Sequence, residues 1–257
     1  MHPTLKTAAA PLRGGVLPLL LLLAWQWASS RGAGAAYVFV PLGQLWTGLR
    51  ELLASGTLAL HVGASLERTM TGFACGALAG IAAGTLMAQS RVAERLIGPL
   101  YHSIRQVPLL GLVPLIALWA GSGEFAKLLI ISIAAFYPTV LNTFEGMRQV
   151  DLRYREVGAM LTLGRGQMFR HVLLPAALPS IITGVTHAQV FAWLACLGGE
   201  LLFAAAPGIG SLLQTSEQAG RMDMVLLSVL VVALLAQALY QLFTRAARLL
   251  VESVAER

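Results

Sequence analysis

EVGAMLTLGRGQMFRHVLLPAALP occupies residues 156–179 of a 257-residue chain and lies between two long stretches rich in Leu, Ala and Val. The quoted segment is basic and amphipathic, and the hydrocarbon core of a bilayer does not accept such a segment. The contrast predicts a chain that crosses a membrane several times and exposes residues 156–175 to water.

The composition of the whole chain supports this interpretation. Hydrophobic residues make up 57% of the chain and charged residues only 12%, with a mean hydropathy of +0.73, whereas soluble proteins carry about 25% charged residues. Lipid requires every backbone polar group to be satisfied internally, and long Leu/Ala-rich runs do not alternate as the strands of a barrel do. We therefore predict an all-α polytopic membrane protein.

The net charge of +6 favours two kinds of partner, anionic lipid headgroups and nucleic acid. The basic residues are scattered among apolar stretches rather than gathered in one patch. We therefore expect a membrane-lipid partner and no nucleic acid.

About 20 predominantly apolar residues are needed to span a bilayer, and we predict about six such spans. They cover residues 16–30, 69–88, 107–121, 125–144, 177–203 and 224–243. The first follows Lys6 and Arg13 and resembles a signal peptide. Because several further spans follow it, we expect it to remain as an uncleaved span.

The distribution of Lys and Arg predicts the orientation. With both termini in the cytoplasm and six spans, most of the 18 basic residues lie inside, as the positive-inside rule requires. Five remain outside, namely Arg31, Arg50, Arg68, Lys127 and Arg221.

Small residues within the spans predict close helix packing. A glycine recurs every fourth residue in the second span, at Gly72, Gly76, Gly80 and Gly84, which lets another helix approach closely. Cys75 and Cys196 lie in apolar stretches without CxxC spacing, so we expect buried side chains and no disulfide or metal site.

The basic segment has helical periodicity on both sides of Gly164 and Gly166. Its apolar faces are formed by Leu152, Val157, Met160 and Leu161, and by Met168, Phe169, Val172 and Leu173. Asp151 is a suitable N-cap, and the glycines predict a turn between two short helices. An apolar ridge bordered by Arg favours a docking partner, whereas a helix pair resting on the membrane remains the alternative.

The same segment resembles the EAA loop of ABC importer permeases. That pattern reads Glu-Ala-Ala, three residues, Gly, nine residues, Ile, any residue, Leu, Pro. Glu156 stands at its first position, Gly158 replaces the second alanine, and Pro175 follows nineteen residues after Glu156. The glycine of the pattern falls on Thr162, and Gly164 lies just beyond, so we expect a shifted turn.

The resemblance extends over residues 60–245. The stretches SLERTMTGFACG, RQVPLLGLVPLIALWAG, LPAALPSIITG and GGELLFAAAPGIGSLL are similar to permeases of the nitrate/sulfonate/taurine importer group. This implies one permease domain over residues 1–257, with a cytoplasmic helix-turn-helix coupling loop at residues 148–175.

The resemblance also implies the partners. A permease of this group forms a dimer, here expected to be a homodimer, in the bacterial inner membrane. It engages a cytosolic ATP-binding-cassette ATPase and receives its ligand from an extracytoplasmic binding protein. The coupling-loop positions carried over are Glu156, Gly158, Thr162, Gly164 and Pro175. No GxxxxGK[ST] phosphate loop occurs in the chain, so we expect a transport subunit without catalytic residues, cofactor or metal.

Polar residues near membrane depth are candidates for the translocation pathway. We predict His187, Gln189 and Glu200 as pathway residues. For His187 and Gln189 the alternative is hydrogen bonding between helices. Glu200, like Arg68 and Lys127, lies at the end of its span, and for these three the alternative is snorkelling or mutual ion pairing.

Two other functions compete with ATP-driven import of an aliphatic sulfonate, taurine or nitrate. An ion-gradient-driven secondary transporter predicts inverted repeats and midplane charges, and the sequence contains no repeat and little midplane charge. A membrane enzyme predicts a constellation of nucleophile, acid or metal ligands within the spans, and His187 alone does not supply one.

Overall fold

A computed structural model describes residues 9–203 and 206–255, and within those residues all regular structure is helical. The helices are α1 (Ala9–Ser29), α2 (Ala33–Val38), α3 (Leu42–Ala54), α4 (Thr57–Gln89), α5 (Arg91–Ile104), α6 (Leu109–Ala120), α7 (Glu124–Arg148), α8 (Leu152–Met160), α9 (Arg165–Met168), α10 (Leu174–Leu202), α11 (Ile209–Gln218) and α12 (Met222–Ala255). A π-helical turn, Phe169–Leu173, joins α9 to α10. The all-α prediction is confirmed.

Four helical stretches are long and apolar enough to cross a membrane, namely Thr57–Gln89, Glu124–Arg148, Arg165–Leu202 and Met222–Glu252. They cover the predicted second, fourth and sixth spans in full and the predicted fifth span to within one residue. The predicted third span corresponds to α6, a helix of 12 residues, which meets the criterion only together with α5 and across a bend of 103°. The first predicted span lies in α1, whose apolar part, Leu19–Ser29, is shorter than a full span. Six spans therefore stay a prediction.

The described residues form two compact units, one within Met1–Ala59 and Leu212–Leu230, the other within Leu60–Ser211 and Val231–Arg257. In the first unit, α3 packs on the start of α12 through Leu52, Met224 and Leu227. Arg221 forms ion pairs with Asp223 at 2.8 Å and with Glu51 at 3.0 Å. The hydrogen bonds that the guanidinium donates to Asp223 and then to Glu51 raise the pKa of Arg221, so the group stays charged.

In the second unit, the glycine stripe of α4 packs directly against α7, as the four-residue spacing predicts. A Cβ atom on Gly76 would collide with the Ser132 carbonyl oxygen, and one on Gly80 would lie 2.8 Å from Thr139 Cβ. Contact this close between backbones requires glycine, because any side chain would push the helices apart.

Helix α7 also packs along α10, and their contact forms the core of the second unit. Ala126, Ile130 and Ala135 of α7 are fully buried together with Ala188 and Ala192 of α10. Cys196 belongs to the same core, as predicted, whereas Cys75 is exposed, so the prediction of a buried thiol there is wrong. Cys75 lies between Gly72 and Gly76 on α4, and its helical position turns it away from the packed stripe.

Candidate functional site

The first arm of the predicted coupling loop, α8, is fixed to the end of α7. The Asp151 carboxylate accepts a hydrogen bond from the Arg153 backbone N–H at 3.0 Å and caps α8, as predicted. The Arg155 guanidinium donates to the Met147 carbonyl oxygen in the last turn of α7 at 2.8 Å. The carbonyls of a terminal turn lack partners within the helix, so Arg155 both satisfies one and positions α8.

The turn of the loop is centred on Thr162. Its φ angle is 53°, a left-handed conformation that costs a β-branched residue energy and costs glycine little. Gly164 has an extended conformation, φ −65° and ψ 162°, and caps α9. The expected shift of the turn is therefore wrong, since the left-handed residue stands where the EAA pattern has its glycine.

The second arm of the loop is continuous with a span, which corrects the expectation of two separate short helices. Residues Arg165–Leu202 form one helical stretch, in which the π-helical turn Phe169–Leu173 precedes Pro175 in the first turn of α10. Proline lacks an N–H and clashes with the preceding α-helical turn. The wider π-helical turn accommodates both the missing N–H and the bulk of the proline ring, so the helix continues through Pro175.

The two arms pack together at Gly158. A Cβ atom there would lie 2.6 Å from the Met168 methyl group, so any larger residue at this buried position would displace the Met168 side chain. Glu156, two residues earlier, is exposed. Gly158 thus shapes the loop, whereas Glu156 is free to face outward.

One of the two predicted apolar faces is exposed. On α8, Leu152, Val157, Met160 and Leu161 are 54–83% exposed, as a docking ridge requires. On the second arm, Met168, Phe169, Val172 and Leu173 are half-buried. The exposed ridge therefore belongs to α8.

A buried ion-pair network joins α4, α7 and α10 in the second unit. The Arg68 guanidinium contacts the Glu124 carboxylate at 2.5 and 3.0 Å and Glu200 Oε1 at 2.8 Å. It also donates to the Pro207 carbonyl oxygen at 2.5 Å. Lys127, 1% exposed, lies 3.4 Å from Glu124. Ion pairing rather than snorkelling explains both basic residues.

Glu200 is fully buried and holds the segment before α11. Its carboxylate accepts hydrogen bonds from the Ser65 hydroxyl at 2.7 Å and from the Gly210 N–H at 2.9 Å. The Ile209 N–H donates to the Ser65 hydroxyl at 2.9 Å. A Cβ atom on Gly208 would overlap the Glu200 carboxylate. Glu200 thus accepts from the Gly210 N–H, one of the N–H groups at the start of a helix that have no partner within the helix.

A cleft of about 900 Å³ opens among α5, α6, α7 and α10. His187 lines this cleft, whereas Gln189 and Glu200 do not. The Gln189 side chain is 1% exposed, and its Oε1 has no hydrogen-bond partner among the described residues. The structure therefore does not bring the three predicted pathway residues together. It adds Arg105, Gln106 and Asn142, of which Arg105 and Gln106 were detectable as polar residues directly before Val107 and Pro108.

The match to a known family decides the class of the protein. Residues 76–255 match the family described as the binding-protein-dependent transport system inner membrane component. The chain belongs to this family. It is a permease subunit of an ABC transporter, a multi-pass inner-membrane protein and not itself an enzyme. This membership implies an ATPase partner and a substrate-binding protein.

Individual relatives agree with this class. The permease is 32% identical to the putative aliphatic sulfonates transport permease protein SsuC of Bacillus subtilis (strain 168), covering 86% of this chain and 80% of the relative. It is 32% identical to the bicarbonate transport system permease protein CmpB of Synechococcus elongatus, covering 88% and 86%. Its fold resembles that of a chain of the MetNI methionine ABC transporter in an inward-facing conformation, with a TM-score of 0.62 at 18% identity, covering 77% and 96%.

Proposed function

We propose that the permease imports a small anion, an aliphatic sulfonate, taurine or nitrate, for an ATP-driven importer. The observation that carries this proposal is the similarity to the sulfonate permease over most of both chains. The cleft supports an anion as cargo, because Arg105 and His187 line it and none of its described lining residues is acidic. Of the three predicted pathway residues, His187 has the placement that suits this role.

The coupling loop of the proposal is the exposed α8 with the turn that follows it. Glu156 and the α8 ridge meet a groove of the cytosolic ATPase. Gly158, Thr162, Gly164 and Pro175 give the loop its shape, through the Met168 contact, the left-handed turn, the α9 cap and the π-helical turn. A stiff loop transmits a rigid-body movement of the ATPase to the spans, where a soft loop would absorb it.

The proposed assembly contains two copies of the permease, with lipid around them and both termini in the cytoplasm. This arrangement places the basic coupling loop inside, in agreement with the positive-inside rule. It also accounts for the large apolar surface that one chain leaves exposed. Leu78, Leu118 and Trp119 are 69–77% exposed.

Docking of the ATPase tests the coupling loop. Glu156→Lys reverses an exposed charge without disturbing a packed side chain, so the fold should persist while the ATPase is lost from the purified complex. Glu217→Lys reverses another exposed charge, on α11, and should keep the ATPase bound. The double variant Glu156→Lys, Gly158→Asp also introduces the Met168 collision. Stoichiometric ATPase in that double variant would contradict the assignment of the loop.

The energy source distinguishes ATP-driven import from the second candidate, an ion-gradient-driven transporter. Inverted membrane vesicles or proteoliposomes containing the permease and the ATPase are loaded with the binding protein and radiolabelled ethanesulfonate, and release of the label is followed after ATP is added outside, where the ATPase lies. Transport should require ATP and survive an uncoupler. Transport without ATP that collapses with the uncoupler would replace the proposal with the second candidate.

A further inference from the structure

The cleft lies where a membrane span is broken. Helices α5 and α6 meet at a bend of 103°, and the residues of the break, 105–108, form part of the cleft wall. The opposite walls come from the middle of α7 and from α10, including Ala134, Asn142 and Leu194. Irregular backbone at membrane depth is tolerated where it is buried or lines a cavity, and transporters place substrate sites at broken helices.

The lining of the cleft combines one full positive charge with apolar walls. Arg105 has no carboxylate within ion-pair distance among the described residues, and its guanidinium lies 5.8 Å from the Tyr101 ring centre. Arg68, in contrast, is neutralised by two carboxylates. Arg105 is exposed at the C-terminal end of α5, so its guanidinium can donate hydrogen bonds to an anion that enters the cleft.

The polar groups around Arg105 are held in place. The Tyr101 hydroxyl donates to the Tyr137 carbonyl oxygen at 2.7 Å, and the Asn142 amide donates to the Pro138 carbonyl oxygen at 2.8 Å. His187 also lines the cleft. The remaining wall is largely apolar and includes Leu109, Leu110, Phe191 and Leu194. A site with one charged end and a hydrophobic wall fits an anion with a short alkyl chain better than a bare inorganic ion.

We propose that this cleft is an alkanesulfonate-binding site within the permease. The sulfonate oxygens accept hydrogen bonds from Arg105 and His187, and the alkyl chain contacts Leu110, Phe191 and Leu194. This inference rests on the proposed function and deepens it, because the permease itself then selects for a sulfonate with an apolar chain after the binding protein has released it.

Protection of an engineered thiol tests the site directly. The permease–ATPase complex, without binding protein, is placed in phosphatidylcholine nanodiscs in a Cys75→Ala background, since Cys196 is buried. Leu194→Cys, exposed on the cleft wall, is modified with methyl methanethiosulfonate, an uncharged reagent whose local concentration does not depend on Arg105. Leu110→Cys, on another part of the wall, is the second variant. The rate of modification is measured with increasing butane-1-sulfonate.

We expect butane-1-sulfonate to slow modification at both positions, sulfate to protect less well and butyltrimethylammonium not at all. Arg105→Gln should raise the concentration for half-protection about tenfold, as loss of one hydrogen bond to a charged group does. The matched control Arg95→Gln removes an exposed charge from α5 that does not line the cleft, and should leave protection unchanged.

Several results would overturn the site. One is that butyltrimethylammonium or sulfate protects the thiols as well as butane-1-sulfonate does. Another is that Arg105→Gln leaves protection by butane-1-sulfonate unchanged. A third is that the thiols do not react at all because lipid or a second copy fills the cleft. Protection by phosphatidylglycerol in the nanodisc equal to that by the sulfonate would make it a lipid-headgroup site instead. If ethanesulfonate is transported with ATP but butane-1-sulfonate does not protect the thiols, only the binding-site inference is wrong. If the thiols are protected but ethanesulfonate is not transported, only the proposed function is wrong.

Discussion

Thr162 is the described residue other than glycine that adopts a positive φ, and it does so at the turn of the proposed coupling loop. Threonine in this conformation is strained by its β-carbon, at a cost of about 1–2 kcal/mol. Thr162→Gly should therefore stabilise the turn by about 1 kcal/mol after the added flexibility of the unfolded glycine is subtracted. Slower proteolysis of residues 161–164 in the purified permease measures this effect.

Gly166→Ala is the control for that substitution, because its helical position has open space around it. Alanine should stabilise α9 by about 0.5–1 kcal/mol through helix propensity. Both substitutions should therefore be stabilising, although one introduces a glycine and the other removes one. A Thr162→Gly turn that is cleaved faster than the parent turn would show that the left-handed conformation is not adopted.

Glu200 makes the second prediction at this scale. In Glu200→Gln, an amide group replaces one carboxylate oxygen and faces the donors Ser65, Arg68 and Gly210. Breaking a buried, hydrogen-bonded charge pair costs about 3–5 kcal/mol, so a marked loss of thermal stability should follow. The temperature at which half of the purified protein leaves its gel-filtration peak measures it.

Glu67→Gln is the matched control for Glu200→Gln. Glu67 is exposed on α4, next to Arg68 in the chain, and its neutralisation should change stability by no more than about 0.5 kcal/mol. Equal thermal stability of Glu200→Gln and Glu67→Gln would mean that the network does not hold residues 206–210 in place.

Among the helices, the contact between α4 and α7 gives the clearest prediction. Gly76→Ala places a methyl group against the Ser132 carbonyl oxygen and within 2.9 Å of Ala135 Cβ. Separating the helices to make room should cost about 1–3 kcal/mol, seen as a lower midpoint of thermal unfolding. Gly63→Ala, on the same helix but in open space, should instead raise that midpoint slightly through helix propensity. Similar midpoints for both variants would exclude tight packing at the stripe.

The helices that the sequence predicts best are those whose character is decided locally. Residues that are close in sequence determine the apolar length of α7 and α12, the Asp151 cap and the glycine spacing of α4. The bend between α5 and α6 and the π-helical turn before Pro175 depend on how the surrounding helices pack. The prolines in the sequence therefore indicate an irregular helix, but they do not indicate whether the irregularity is a bend or a π-helical turn.

The ion-pair network was predictable only in part. Arg68, Lys127 and Glu200 were recognisable as charges at the ends of spans, but Glu124, on the same helix as Lys127, was not singled out, although it pairs with both basic residues. The sequence separation between Arg68 and Glu200 gives no sign that the two side chains meet. For the same reason His187 and Gln189, two positions apart on α10, were treated alike, although one lines the cleft and the other is buried.

At the scale of the whole molecule, one chain leaves most of its spans uncovered. Only 28% of the apolar window of Met222–Glu252 and 33% of that of Thr57–Gln89 is buried within the described structure. Exposed apolar surface of this extent is stable only against lipid or another protein. In the proposed assembly, the second permease copy and the surrounding lipid therefore cover the apolar surface that one chain leaves exposed.

The number and direction of the spans are the last prediction. In a Cys75→Ala background, cysteine replaces in turn Ser30, the last residue of the predicted first span, and Thr162 and Glu217, which lie between predicted spans; all three positions are exposed. If α1 crosses the membrane and the coupling loop is cytoplasmic, an impermeant maleimide should label Ser30→Cys and Glu217→Cys in cells with a permeabilised outer membrane. Thr162→Cys should react only in inverted vesicles. Labelling of Thr162→Cys from outside would reverse the orientation and remove the ATPase from reach of α8, whereas Ser30→Cys reacting only from inside would show that α1 does not span.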